Sequence, residues 1–458
     1  MTASQVVDVQ RFIDENKVSN FQIIVVVLCF LITTLDGFDV GVIGSLAPSI
    51  KAEWGLSGVE LGRLFGVGLF GLTLGALVFG PLVDRFGRRP ILMLAVAGFG
   101  IFSFASGYSN SIGTLVVLRF ITGFCLGGAM PNAITLTSEY APAKHRFLML
   151  MAVSCGFTIG GGLGGIVAAH FVAGAEGWRH VLMLGGILPI LLLLPLWLAL
   201  PESIRYLVTK NRGHDEAARV LGRIAPDERL QNCTFSVVQY ATDGSPIANL
   251  FARGIRGGTL LLWFTFFMGL LLYYLLTSWL PTVINGNGSS LKESVLLAAM
   301  FPIGSTVGAI ILGLLMDRFN PYKVLTTALF CAGACVTAIG YVYGTWWMLG
   351  IAIFGAGFGT GGAVIGLDAL AAAFYPVAMR GTGVSWALGV GRMGSIIGSM
   401  AGGVLLSLHW DLSGVFTLVA VPAFLGCFTI LGMGRLSRKK IADEKAVHAE
   451  HALRSHSA

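Results

Sequence analysis

Twelve stretches of this 458-residue chain are apolar over membrane-spanning length: 21–47, 58–83, 90–109, 112–138, 147–172, 179–200, 258–284, 292–316, 322–343, 346–374, 381–407 and 412–434. About 20 apolar residues suffice for a helix to cross the hydrocarbon core. Lipid offers no partner to backbone N–H and C=O groups, so such runs must close their hydrogen bonds within a helix. The predicted fold is therefore an all-α membrane protein of twelve transmembrane helices. Composition agrees: 55% of residues are hydrophobic and 12% charged, where a soluble domain carries about 25% charged residues.

The longest polar stretch, 201–257, falls between the sixth and seventh runs. It divides the chain into an N-terminal tail (1–20), a six-helix bundle (21–200), a central loop (201–257), a second six-helix bundle (258–434) and a C-terminal tail (435–458). Connections after odd-numbered runs hold few basic residues: Lys51, Arg63, Arg179 and Lys292. Connections after even-numbered runs and both tails hold most of the rest, including Arg85, Arg88, Arg89, Lys144, Arg146, Arg205, Lys210, Arg212, Arg318, Lys323, Arg380, Arg435, Arg438, Lys439 and Lys440. Short loops rich in Lys and Arg stay cytoplasmic, so both termini and the central loop are expected inside. The net charge of +7 is thus a topology signal and not a nucleic-acid footprint. The polar N-terminus lacks the basic start, short apolar core and cleavage site of a signal peptide.

Gly80-PLVDRFGRRP and Gly313-LLMDRFNPYK share G-x-x-x-D-R-F, 233 residues apart, each after the second run of its half. Parallel six-helix repeats build one large transporter fold. Glycines four apart recur at 71 and 75, 123 and 127, 156, 160 and 164, 304 and 308, 355 and 359, and 398 and 402. Small residues at that spacing make a smooth helix stripe that lets neighbours pack closely, and smooth faces can also rock.

Ionisable residues inside the runs are the candidate chemistry, because each is costly in lipid. Asp36 and Asp39 of LITTLDGFDVGVIG share one helix face. Two neighbouring carboxylates in a low dielectric titrate as a coupled pair, which suits a proton carrier; a structural ion pair with an arginine is the plainer reading. Arg119 of the fourth run is about seven residues, roughly 10 Å, from its outer end, and Asp39 is about eight residues, roughly 12 Å, from the outer end of the first. The depths match and a contact is expected. Arg392 in the eleventh run lies near the midplane and suits a carboxylate, which a guanidinium can grip with two parallel hydrogen bonds. Asp368 of the tenth run is either a second proton site or the partner of Arg392. Glu139 ends the fourth run as a proton or gating residue, or an interfacial carboxylate. Tyr273, Tyr274 and Trp279 of the seventh run and Trp386 of the eleventh offer rings to stack a planar ligand, or to pack.

Six of the seven cysteines (Cys29, Cys125, Cys155, Cys331, Cys335 and Cys427) lie in apolar runs and Cys233 in a polar loop, with no metal-ligand spacing. Gly359–Gly362 (GTGG) lacks the Lys-Ser/Thr of a phosphate loop, and no zincin helix or nucleophile elbow occurs. No enzyme activity, ATP coupling or metal is expected.

In order along the chain stand DGFD (Asp36–Asp39), GPLVDRFGRR (Gly80–Arg89), RFITGFCLGG (Arg119–Gly128), AMPNAITLTSEY, LPESIRYLV, LTSWLPT and FYPVAMRGTGVSWALGVGRMGS. The set resembles the major facilitator superfamily over nearly the whole chain, and within it the aromatic acid:proton symporters, bacterial uptake carriers for benzoate-type acids. The resemblance implies a monomeric carrier in the bacterial cytoplasmic (inner) membrane. It would import an aromatic carboxylate with protons by alternating access, with no cofactor beyond the proton gradient. It implies that Asp36 and Asp39 are required for transport and that Arg119, Glu139, Arg380 and Arg392 are functional charges. With the residue readings above, the proton-coupling candidates are Asp36, Asp39, Glu139 and Asp368, and the substrate-binding candidates Arg119, Arg392, Tyr273, Tyr274 and Trp386. The resemblance further implies a conformational switch at Gly80, Asp84, Arg85, Gly87, Arg88, Arg89, Asp317, Arg318 and Arg380. Two departures stand out: the second loop reads DRFNPYK, with a thin basic cluster, and Asp368 stands where the branch leads one to expect Asn. The fifth run, GFTIGGGLGG, lacks the Gly-Pro of many drug antiporters, which favours uptake. A carrier of another organic anion or a sugar, or an efflux antiporter, would share the fold.

Overall fold

The computed structural model describes residues 6–172, 176–209, 214–225, 233–236, 250–252, 255–376, 379–407 and 410–456, with side chains as far as residue 436. Lys210 and Arg212, part of the loop charge pattern, lie outside the described residues. Among the described residues twelve spans are long and apolar enough to cross a membrane. The first half supplies α2 (Asn20–Trp54), α3 (Gly58–Phe86), α4 (Arg88–Ser106), α5 (Ile112–Leu126) with α6 (Ala129–Tyr140), α7 (Ala143–Phe171) and α8 (Gly177–Ala199). The second supplies α11 (Arg256–Gly286), α12 (Leu291–Arg318), α13 (Pro321–Ile339), α14 (Trp346–Phe374), α15 (Arg380–Ser407) and α16 (Leu412–His456). The chain is a multi-pass membrane protein.

Local chemistry explains where the spans start and break. Ser19 with Gln22, and Ser57 with Glu60, form reciprocal capping boxes at the starts of α2 and α3. The fourth run, read as one helix, divides at Gly127–Gly128, where Pro131 has no N–H to continue the ladder. Asn132 Nδ2 donates to the Gly128 carbonyl at this break, at 2.6 Å. Helix α2 continues seven residues past the apolar run, through Ser-Ile-Lys-Ala-Glu, to Trp54. There Glu53 accepts from the Trp178 indole (2.5 Å) and pairs with Arg179 (2.8 Å) at the start of α8. Helix α16 likewise runs beyond the twelfth apolar run to His456.

Close helix contact rests on the glycines. A Cβ at Gly37 would meet the Phe157 carbonyl oxygen of α7 at 1.8 Å, and one at Gly160 would meet the Thr34 carbonyl of α2 at 1.9 Å. The backbones of α2 and α7 touch, as small-residue stripes allow.

The described parts of the polar segments form elements of their own. Strand β1 (Val6–Asp8) pairs in parallel with β2 (Thr234–Ser236), Val7 opposite Phe235. Helix α1 (Val9–Glu15) follows, and the central loop contributes α9 (Ile204–Thr209) and α10 (His214–Ile224). Val9, Phe12 and Ile13 of α1 share one buried cluster with Leu221, Ile224 and Phe235. Asp14 accepts from the Ala143 backbone N–H (2.7 Å) and Arg146 (3.4 Å) at the start of α7. Residues 6–19 thus form a clasp over the central loop and the start of α7.

The chain forms two compact units, one of residues 1–240, 275–306 and 399–409, the other of 241–274, 307–398 and 410–458. This division differs from the six-plus-six boundary of the sequence. Parts of α11, α12 and α15 group with the first unit. Trp279 of α11 donates its indole N–H to the Ser399 carbonyl (2.7 Å) and meets Phe65 of α3 edge-on, centroids 5.3 Å apart. Thr158 of α7 and Thr306 of α12 share a 2.7 Å hydrogen bond.

Candidate functional site

The first unit encloses a charge pair at its centre. Asp39 of α2 and Arg119 of α5 are 6% and 4% exposed. Arg119 Nη1 donates to both carboxylate oxygens of Asp39 at 3.1 Å. Ser103 of α4 donates to Asp39 Oδ1 (2.9 Å) and accepts from Arg119 Nη2 (3.1 Å). The Ser106 and Thr122 hydroxyls lie 3.4 and 3.5 Å from the same nitrogen, while Arg119 Nε has no partner. Asp36, one turn before Asp39, is 1% exposed. Gly37 between them lets α7 press against this segment of α2. A buried ion pair repays its desolvation only when its lone pairs and protons are met. Here three hydroxyls supplement the carboxylate, so losing the Asp39 charge would strand a buried guanidinium.

The second cluster lies where α4 begins and α6 and α8 end. Arg88 Nε donates to Glu139 (3.0 Å), and Ser203 donates to the other Glu139 oxygen (2.5 Å). Glu202 Oε1 accepts the backbone N–H groups of Arg88 (2.7 Å), Arg89 (3.2 Å) and Ser203 (2.8 Å). A carboxylate at a helix N-terminus is favoured by the free N–H groups and the dipole. Gly87, at φ +97°, turns the chain between α3 and α4, and a Cβ there would lie 2.4 Å from Glu202. Burial raises the Glu202 pKa above its ordinary value, opposed by the three backbone donors. The Tyr140 hydroxyl donates to the Glu202 carbonyl at 2.6 Å. Glu139 therefore belongs to this helix-end network and is not among the groups around Asp39.

The remaining loop residues separate into two groups. Gly80, Asp84, Arg85, Asp317, Arg318 and Arg380 are exposed. The Arg85 carbonyl accepts from Tyr206 (3.2 Å), whereas Asp317, Arg318 and Arg380 form no ion pair among the described residues. The DRFNPYK loop lacks the network of its first-half counterpart.

In the second unit, Asp368 of α14 and Arg392 of α15 are half-buried. Asp368 Oδ1 is enclosed with no hydrogen-bond partner. Arg392 acts on it electrostatically but lies beyond ion-pair distance. Helix α11 packs against both α14 and α15: Gly269 faces Val364 and Leu367, and Gly391 faces Phe266 and Leu270. Tyr273 and Tyr274 are buried, with centroids 5.4 Å apart. Trp386 stacks on Trp263 at 5.9 Å and 13° between planes, and Trp263 donates to the Tyr375 hydroxyl (3.2 Å). Trp386 is thus near the start of α15, about nine residues' rise from Ser395 and some 9 Å along the helix before Arg392, apart from the tyrosines.

Sequence reasoning did not single out Ser103, Ser106, Thr122, Glu202 or Ser203. LPESIRYLV carried the last pair; hydroxyls scattered through apolar runs give no signal of their own. Among the described residues no His, Cys, Asp or Glu cluster could hold a metal.

The family model described as the Major Facilitator Superfamily matches residues 29–339 and 262–456. The 4-hydroxybenzoate transporter PcaK of Pseudomonas putida is 43% identical over 432 residues, 94% of this chain and 96% of that protein. A gallate transporter of Pseudomonas putida is 42% identical over 433 residues, 93% of this chain and 95% of that one. Among solved structures, the inward open xylose transporter XylE of E. coli superposes with a TM-score of 0.71 at 18% identity, covering 90% of this chain and 95% of that one. Twelve spans, a repeated loop motif and full-length similarity agree: the chain belongs to the Major Facilitator Superfamily, a family of membrane transporters and not of enzymes, in the branch that includes these aromatic-acid carriers.

Proposed function

We propose that the protein imports a small aromatic carboxylate of the hydroxybenzoate type together with protons, by alternating access, across a bacterial cytoplasmic membrane. The basic-residue pattern of the loops supports an orientation with both termini inside. Full-length similarity to a 4-hydroxybenzoate transporter and a gallate transporter supports the substrate class.

The observation that carries the coupling is the buried Asp39–Arg119 pair. A proton on Asp39 removes the charge that holds Arg119, and Arg119 is then free to attract an anion or to move. Asp36, three residues earlier on the same helix face, is the neighbouring carboxylate available to the proton. Arg392 is the group for the substrate carboxylate, being free of a carboxylate within 4 Å among the described residues. Proton and monoanion together add no net charge, so the loaded site carries the same charge as the empty one and uptake of the anion leaves no uncompensated charge in the membrane. Glu139, held by Arg88 and Ser203, acts in a latch at the helix ends instead of carrying the proton.

The test is uptake of labelled 4-hydroxybenzoate into proteoliposomes with and without an inward proton gradient. Accumulation that collapses with an uncoupler is the expected result. Gradient-independent equilibration would remove proton coupling, and no uptake across a panel of aromatic acids would remove the substrate class.

A further inference from the structure

A cavity of about 150 Å³ opens between the end of α8 and the face of α10. Arg89, Arg219 and Arg223 line it together with Glu202 and Glu216. Two of its walls are already committed. Glu202 Oε1 is taken by three backbone N–H groups, and Arg89 Nη2 donates to the Trp197 carbonyl. The rest of the positive charge is unspent. Arg89 Nε is enclosed and has no hydrogen-bond partner. Arg219 donates only to the Asp215 carbonyl (3.3 Å), and Arg223 lies over the Phe21 ring at 5.5 Å. Neither has a carboxylate within 4 Å among the described residues.

Position supplies the second argument. Span α8 ends at Ala199, so the cavity lies at the level where lipid headgroups meet water. Its rim is apolar: Leu198 is 66% exposed and Trp197, in the same last turn, 60%. Tryptophan at the end of a span is an interface residue. A basic pocket opening onto a lipid-facing wall recognises a ligand with an anionic head and an apolar tail, as basic pockets beside cytoplasmic span ends do for anionic lipids.

We propose that this cavity binds the phosphodiester of an anionic phospholipid of the inner leaflet, with Arg89, Arg219 and Arg223 on the phosphate and Leu198 and Trp197 against the acyl chains. The inference rests on the inside orientation of the loops but not on the substrate or the proton coupling. A bound headgroup would join α8, α10 and the start of α4, so it would brace the helix-end network through the membrane itself.

Native mass spectrometry of the purified full-length protein tests this, with phosphatidylglycerol and phosphatidylcholine of matched acyl chains as probes. Arg219 and Arg223 project from α10 outside the transport machinery, so the R219Q/R223Q protein is the comparison, with the single variants available if the double one is not produced. Retention of the tightest phosphatidylglycerol by wild type, weakened about tenfold in the variant, is expected from the loss of two basic contacts. Equal retention by wild type and variant, or equal retention of phosphatidylcholine, overturns the proposal. Displacement of the lipid by millimolar inorganic phosphate would assign the cavity to a free phosphate anion and also overturn it.

Discussion

At the scale of single residues, the chemistry concentrates on carboxylates whose neighbours differ. Asp39 faces a guanidinium and a hydroxyl; Glu202 faces backbone N–H groups. Asp39→Asn keeps the shape of the first but leaves Arg119 charged and uncompensated, a loss of about 3–5 kcal/mol when a buried pair is broken. Proton-driven uptake should vanish while gel filtration in detergent still shows a folded, lower-melting protein; wild-type uptake by this variant would remove Asp39 from the coupling. Glu202 predicts a pH effect of defined sign. Burial raises its pKa in the folded protein, so the native state holds this proton more tightly than the unfolded chain does. Stability from this group is then fullest below the unfolded value and is lost as pH rises through the folded one. Glu202→Gln cannot ionise and retains an acceptor for the Arg88, Arg89 and Ser203 N–H groups. Its melting temperature should match wild type near the unfolded carboxylate pKa of about 4.3 and exceed it increasingly toward neutrality. A parallel pair of melting curves would disprove the assignment.

Elements show which parts of the sequence spoke for themselves. Periodicity was not needed to find the spans, because lipid demands length and apolarity alone. The Asp39–Arg119 contact was also legible, from depths counted at the edges of the apolar runs. Counted from the helix end at Trp54 the depths would not have matched, because α2 continues beyond its apolar run to reach Trp178 and Arg179. The clasp was not legible. Val6–Asp8 finds its partner strand more than 220 residues away, and three-residue strands carry no alternation to read. The glycine stripes were read as packing, and the structure shows which backbones they bring together. Gly37→Ala would place a methyl 1.8 Å from the Phe157 carbonyl, so α2 and α7 must separate. Overpacking of this kind costs about 1–3 kcal/mol or more, and a lowered melting temperature with reduced uptake is expected. For the clasp, Ile13 is fully buried. Ile13→Ala should destabilise the protein by about 2–5 kcal/mol, read as lost resistance to heat and to proteolysis in the central loop; unchanged melting would mean that the clasp is only an ornament on the first unit.

For the whole molecule, the informative feature is that the first unit recruits the ends of α11, α12 and α15. The recruiting contacts are smooth and few. A Cβ on Gly403 would meet the Gly58 carbonyl at 2.2 Å, and one on Gly44 the Thr277 carbonyl at 2.5 Å. Trp279 fills the space beside Gly402 and is pinned by the Ser399 carbonyl and the Phe65 ring. These contacts join the second half of α2 and the junction between α2 and α3 to the C-terminal halves of α11 and α15. On the orientation proposed above, with the termini inside, that junction lies on the outer side. An importer must open its outer side once per cycle, and transporters of this repeat architecture do so by moving packed bundles against each other around a fixed site. Glycine-to-backbone contacts suit such a seam, since they pack closely and leave only local side-chain contacts such as Trp279 on Phe65 and Thr158 with Thr306 to disengage. A valine at Gly403 should therefore block closure at this seam without touching Asp39, Arg119 or Arg392. Binding of 4-hydroxybenzoate to the Gly403→Val protein, measured by calorimetry, should persist, while uptake into proteoliposomes should fall at least about tenfold, the effect of a closure penalty of only about 1.4 kcal/mol. Loss of both binding and uptake would point to misfolding instead, and unimpaired uptake would show that the seam is no part of the cycle.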